Sequence, residues 1–380
     1  MLDTIKIANF GPIANLDIKL GDLTILIGPQ ASGKTLFLQL LKLVVDQEQI
    51  VSNLTRYNYV TENNVDNILN CYMGEGLSRL WNTETRVMMN GQEFQRESIS
   101  NDSYNSPCEK VFYIPAQRIL SIADGRPKNF MEFDISTPYV LRQFSETLRL
   151  SFQKGMAHDQ ILFPLREKTS DSINASFNEN IFHDGKVIVD ERTGQKKMRM
   201  EIEGVSLPFM TWSAGQKEFM PLLMAFYCLK DNQKVSSYKY VVIEEPEMGL
   251  HPNAIQTVLL EVIALMNEGY KVIISTHSSV LLDFAWTNTL LKSLPEAEYM
   301  EALKQLLGEI QESLYSNLRK KDIKTYYFSH QDDNHVYTRD ISELDVSSDD
   351  SAISEWGGIS QFSSLASEIV SKYLANNGEE

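Results

Sequence analysis

One stretch constrains the fold more than any other: ILIGPQASGKT, residues 25–35. A short apolar run, Leu23–Ile27, enters it, and a run of apolar residues from Lys34 to Val45 leaves it with the spacing of a buried helix. Strand, glycine loop and helix thus follow one another directly. Gly28 and Gly33 let the backbone of Gly28, Pro29, Gln30, Ala31, Ser32 and Gly33 wrap an anion, with N–H groups pointing inward and a helix N-terminus adding partial positive charge. In this pattern Lys34 reaches the β- and γ-phosphates of a nucleotide and the Thr35 hydroxyl binds Mg²⁺. Chance produces such a match in a chain of this length with a probability of roughly one in a hundred, before its strand–loop–helix context is counted. The segment is a nucleotide site.

A second stretch, VVIEEPEMGLHP at Val241–Pro252, delivers two carboxylates side by side at the exit of an apolar strand. Like charges there are costly unless a cation or a proton-transfer task awaits them. With a Mg²⁺–triphosphate present, Glu244 at the strand end holds the metal and Glu245, pointing elsewhere, accepts a proton from the attacking water.

The remaining pattern is that of an α/β chain. Short strands at Ile5–Ile7, Leu16–Leu20, Lys110–Ile114, Tyr240–Ile243 and Lys271–Ser275 alternate with helices at Pro138–Phe152 (N-capped by Thr137), Trp212–Leu229 and from Pro252, which predicts a largely parallel central sheet. Residues 47–107 are polar and Asn-rich and read as an insertion outside that sheet. Ile181–Leu207 alternates as a hairpin turning at RTGQ. Beyond Trp286 follow an amphipathic helix at Pro295–Leu318, a hairpin from Thr325–Phe328 and Val336–Thr338, and a final helix at Phe362–Leu374. The stripe Leu303, Leu307, Ile310 and Leu314 either packs on the head or forms a dimer or partner surface, and Trp356 beside two glycines suits a docking turn for the last helix.

Charge and cysteine content narrow the class. A net charge of −16 opposes broad, non-specific nucleic-acid binding. The three cysteines are scattered without metal spacing, no apolar run is long enough to span a bilayer, and the first twenty residues lack a signal-peptide layout; a cytoplasmic protein is expected.

The motifs together resemble those of ATP-binding-cassette (ABC) ATPases, in the form found in OLD-like and RecF-like heads. YVVIEEPEMGLHP is similar to the Walker B and D-loop segment of that branch, WSAGQKEF at Trp212–Phe219 to the cassette signature, and VIISTHS at Val272–Ser278 to the switch-histidine segment. Their order along the chain matches, and the resemblance covers most of residues 1–285.

It implies a P-loop head over residues 1–290, with an insertion at about 47–109 and a helical lobe at about 121–180, followed by an extension, 291–380, packed on it. It further implies that Ser213, Ala214, Gly215 and Gln216 contact the γ-phosphate bound by a second subunit, so that two ATP molecules are sandwiched in a homodimer or higher homo-oligomer. His277 would bond the γ-phosphate, Gln117 would complete the Mg²⁺ shell with Gln143 as rival, and Asn9-Phe10 would lie near the adenine. Arg118 would contact phosphate or pair with an acidic neighbour.

Long coiled coils of the SMC type are absent, and neither HQDDNH (330–335) nor SSDD (347–350) is a clean DxD after an apolar strand, as a TOPRIM-type nuclease centre requires. The expected role is therefore a stand-alone, Mg²⁺-dependent ATPase that regulates a separately encoded effector protein, as related bacterial ATPases do in anti-phage defence. A RecF-like clamp on DNA and an ATP-stabilised scaffold are the alternatives.

Overall fold

Strands that must be buried on both faces show it in their residues, and the computed structural model bears this out. It describes residues 2–359 apart from 63, 100–107, 159, 193, 231–236, 309–311, 332–334 and 346–347, together with 365, 366 and 369. In Leu23–Ile27 every residue is buried: Leu23, Ile25 and Ile27 enter one core and Leu26 the other. The same division separates Val241 and Ile243 from Val242, and Val272 and Ile274 from Ile273. Period-two alternation between two apolar layers is what a covered parallel sheet requires.

The main sheet has ten strands. From one edge they are Gln92–Glu93, Trp81–Met89, Thr4–Phe10, Ile13–Lys19, Val336–Asp340, Ile323–His330, Leu23–Ile27, Lys271–Ser275, Tyr240–Glu244 and Val111–Ile114. The last five run parallel and carry the site; the pairings among the first four are antiparallel. The helix Lys34–Arg56 covers one face, and Tyr139–Lys154, Ala214–Leu229 and Pro252–Asn267 pack into the other core. A separate four-stranded antiparallel sheet is built from Ile161–Phe163, Lys186–Asp190, Lys197–Ile202 and Val205–Pro208. The expected α/β class and the hairpin around RTGQ are thus found, and one further strand on each side extends that hairpin.

Five expectations need correction. The helix expected to stop at Val45 continues to Arg56 through a non-helical Asp46. Asp46 leaves helical geometry because its carboxylate accepts from the amides of Lys110 (2.8 Å) and Val111 (3.0 Å) and from Lys42 Nζ (2.9 Å), tying the helix to the neighbouring strand. Residues 47–107 are not wholly outside the sheet either. Trp81–Met89 pairs antiparallel with Thr4–Phe10, and its polar composition reflects an outer face open to solvent.

The expected C-terminal hairpin forms, but inside the sheet instead of on the head's surface. Ile323–His330 runs parallel to Leu23–Ile27, and Val336–Asp340 parallel to Ile13–Lys19. Finally, the helix expected over Pro295–Leu318 ends at Leu307, where Gly308 takes φ 93, and a short turn, Glu312–Tyr315, follows. Leu303 is buried, and Leu307 and Leu314 pack against the same core, so the stripe faces the head; Ile310 lies outside the described residues. At the N-terminus of Tyr139–Lys154 the capping position is Pro138, not Thr137.

Trp356 is buried, its indole 6.0 Å from that of Trp286 and donating to Leu344 O at 3.3 Å; a seat for the last helix cannot be read from these contacts, because most of that helix lies outside the described residues. The helix expected at Phe362–Leu374 falls outside the described residues except at 365, 366 and 369, as do 332–334 of HQDDNH and 347 of SSDD.

Candidate ATP site at the exits of the parallel strands

The phosphate loop leaves Leu23–Ile27 at Gly28 (φ 145), where a Cβ would stand 2.3 Å from the carbonyl oxygen of Phe328. Only glycine lets the loop turn this close to the C-terminal strand. Pro29, Gln30, Ala31 and Thr35 are exposed, while Ser32 and Lys34 are buried. The helix that follows has Gly33 at its N-cap and no capping side chain, so no side chain competes for its first-turn amides. The neighbouring helix Ala214–Leu229 differs: Ser213 and Gln216 close a reciprocal capping box on it at 3.2 and 3.1 Å.

Lys34 is folded back into the loop, donating to Gly28 O (2.8 Å), Pro29 O (2.8 Å) and Ser32 Oγ (3.3 Å). Burial lowers its ammonium to about 8, against the opposing pull of Glu245 and Glu247. A triphosphate would supply the negative charge this buried cation lacks.

The two adjacent carboxylates part company as soon as the strand ends. Glu244 stays in the strand and is buried, whereas Glu245 turns into left-handed backbone (φ 42), its amide held by Ser275 O at 2.8 Å. A left-handed conformation at a non-glycine residue is strained and is retained where the surroundings enforce it. Glu244 Oε2 accepts from the Ala116 amide at 3.2 Å, and the Thr35 and Tyr113 hydroxyls lie beside the carboxyl. Burial nevertheless pushes its pKa up, with those neighbours opposing. Among the described residues Glu244 Oε1 has no hydrogen-bond partner. A buried orphan carboxylate oxygen next to a threonine hydroxyl fits a hard divalent cation, so Thr35 and Glu244 suit Mg²⁺. Exposed Gln117 opens the turn immediately after Ala116. The rival Gln143 is engaged elsewhere, accepting from Asn53 at 3.2 Å.

Glu245 faces the switch histidine: His277 Nε2 lies 3.9 Å from Glu245 Oε1, both side chains about one-third exposed. Phe10 is core, edge-on to Trp81 at 6.0 Å. Ser213 and Ala214 are exposed, leaving the signature open to an incoming surface. Gly215 packs so closely on Gly249 that a Cβ would meet its carbonyl oxygen at 2.9 Å.

Two side chains have parts that the sequence did not give. Arg118, expected to contact phosphate or pair with an acidic neighbour, is fully buried and donates to the carbonyls of Glu244 (3.1 Å), Glu245 (3.2 Å), Pro246 (3.3 Å) and Glu218 (3.2 Å). One guanidinium therefore joins the Gln117 turn to the carboxylate-bearing strand exit and to the signature helix. Glu247, the third glutamate of EEPE, reaches across to Thr276 and His277. Its place after two adjacent glutamates was the available signal.

Comparison with known proteins agrees with the resemblance drawn from the motifs. A family described as "AAA ATPase domain" matches residues 1–75 and 98–282. The Old nuclease of Escherichia phage P2 is 42% identical over 53 residues, which are 14% of this chain and only 9% of that protein's length. Among solved structures, an SMC head bound to the C-terminal winged-helix domain of ScpA is similar at 12% identity and a TM-score of 0.41, over 89% of this chain and 97% of that one. The SMC head domain from Thermotoga maritima follows at 11% identity and a TM-score of 0.39, over 89% and 98%. A dimeric bacterial ABC transporter cassette is similar at 13% and 0.33, over 74% and 90%. With its phosphate loop, its paired glutamates and a family match covering more than half of its residues, the chain belongs to the AAA ATPase domain family.

Proposed function

We propose that this protein hydrolyses ATP to ADP and phosphate with Mg²⁺, and that two heads pair around ATP through the signature surface. The observation that carries the reading is the meeting of Glu245 and His277 at 3.9 Å, beside the loop that holds Lys34. Lys34 and the first-turn amides bind the triphosphate; Thr35 and Glu244, with Gln117, would hold the Mg²⁺, which neutralises phosphate charge. Glu245 takes the proton of the attacking water, and His277 orients water and γ-phosphate. Ser213, Ala214, Gly215 and Gln216 serve the nucleotide of the partner head, for which the exposure of Ser213 and Ala214 leaves room.

The biological reading is a cytoplasmic homodimer, or higher homo-oligomer, that regulates a separately encoded effector, in the setting of bacterial anti-phage defence. It rests on the OLD-like motifs and on the acidic charge of −16, which disfavours a DNA clamp. No described helix is long and apolar enough to cross a membrane.

Glu245→Gln tests the chemistry. Hydrolysis should fall about 10²–10⁴-fold while ATP binding persists. Full turnover in this variant overturns the assignment. Purified from its host with Mg-ATP, the same variant should carry a stoichiometric protein companion; a dimer loaded with DNA and no companion would replace the effector reading by a repair clamp.

A further inference from the structure

The switch segment is held in place from outside itself. Glu247 Oε1 accepts two hydrogen bonds from the neighbouring strand exit, from Thr276 Oγ1 at 2.8 Å and from the His277 amide at 2.5 Å. Thr276 Oγ1 in turn accepts from the Ser278 amide at 2.9 Å, and the Thr276 amide is anchored to Leu26 O at 3.1 Å. Glu247 itself sits on a fixed turn, with Met248 N on Glu245 O (3.1 Å) and Leu250 N on Glu247 O (2.9 Å). The carboxylate that fixes the backbone of His277 is thus two residues from the carboxylate that His277 faces.

We propose that Glu247 is a positioning residue that sets the His277 imidazole against Glu245 for hydrolysis. The inference rests on the ATPase reading above and adds a residue to it. The accepting oxygen outweighs the charge. Lys34 and Arg118 are the cations that sense Glu247, and both commit their donors to carbonyls or to Ser32. Among the described residues Glu247 Oε2 is buried without a partner, so the group acts through one oxygen and its field. An alanine frees the segment. A glutamine keeps the accepting oxygen but turns an NH₂ group toward those cations.

The test is a double-mutant cycle in steady-state ATP hydrolysis, with nucleotide affinity measured separately using a fluorescent ATP analogue. Glu247→Ala should lower kcat about 10²-fold, the loss expected from misplacing a catalytic group by about an ångström, while KM and analogue affinity change little. Glu247→Gln should recover most of the rate. In a His277→Ala background Glu247→Ala should add almost nothing, because the two act as a unit.

An equal loss in both backgrounds, or a loss of analogue affinity matching the loss of rate, would overturn the proposal. Backbone amide NMR of histidine-¹⁵N-labelled protein gives a reading independent of turnover. The His277 amide should lie downfield in the wild type and in Glu247→Gln, and move upfield in Glu247→Ala. An unmoved resonance rejects the contact. A wild type that hydrolyses no ATP rejects the ATPase reading instead, and the NMR result still judges Glu247.

Discussion

Lys34 should take up a proton when ATP binds. Before nucleotide arrives, burial lowers its ammonium from 10.5 to about 8. Roughly half of the lysines are then neutral at pH 8, about a tenth at pH 7 and about nine-tenths at pH 9. A triphosphate placed against Lys34 favours the charged form, so binding should draw in about half a proton per site at pH 8 and nearly one at pH 9. Affinity should be flat below pH 7 and weaken about tenfold per pH unit above 8.

Protein stability without nucleotide should move the opposite way. Between pH 8 and 10.5 the unfolded chain binds more protons at this lysine than the folded one, so this group's contribution rises with pH across that window. Isothermal titration calorimetry of a non-hydrolysable ATP analogue, in paired buffers of different ionisation enthalpy, measures the uptake directly. Lys34→Met should abolish it. Zero uptake from pH 7 to pH 9, or an affinity flat across that range, would refute the argument that burial dominates at Lys34.

Other consequences are equally concrete. Gly28→Ala should abolish ATP-analogue binding and cost about 1–3 kcal/mol in urea unfolding, because its Cβ meets the Phe328 carbonyl oxygen at 2.3 Å; unchanged affinity would sink the close-approach argument. Lys42→Met should destabilise by about 3–5 kcal/mol, since buried Asp46 and partly buried Glu109 lose their shared cation; denaturant midpoints report this. Arg118→Lys should keep ATP-analogue binding but depress hydrolysis, because one ammonium does not span the four carbonyls that the guanidinium holds; a wild-type rate would show the clamp to be dispensable.

The parts legible in the sequence were those whose physics is local. Gly28 to Thr35 declare a phosphate loop because wrapping an anion needs glycines and a helix start within a few residues, and the exit of Tyr240–Glu244 shows its paired carboxylates directly. Pairings between distant strands leave no such trace. Ile323–His330 alternates like any half-buried strand, and nothing in its own residues says that its neighbour is Leu23–Ile27. Trp81–Met89 looked like insertion because a strand near the sheet's edge with one solvated face is polar. The contacts of Glu247 were hidden for a related reason: the groups that donate to it, the Thr276 hydroxyl and the His277 amide, lie about thirty residues away, on another strand's exit.

The position of that C-terminal strand ties the phosphate loop to the timetable of synthesis. Leu23 pairs with Ile323, a separation of 323 − 23 = 300 residues, and the wall behind Gly28 is the carbonyl of Phe328. At translation rates of about 5–20 residues per second, Leu23–Ile27 waits roughly 15–60 s for this neighbour. Through that interval the loop has its glycines and its lysine but not its full support. The nascent chain should therefore be slow to gain nucleotide, and the unpaired flank of Leu23–Ile27 is the edge on which it is most exposed to mispairing.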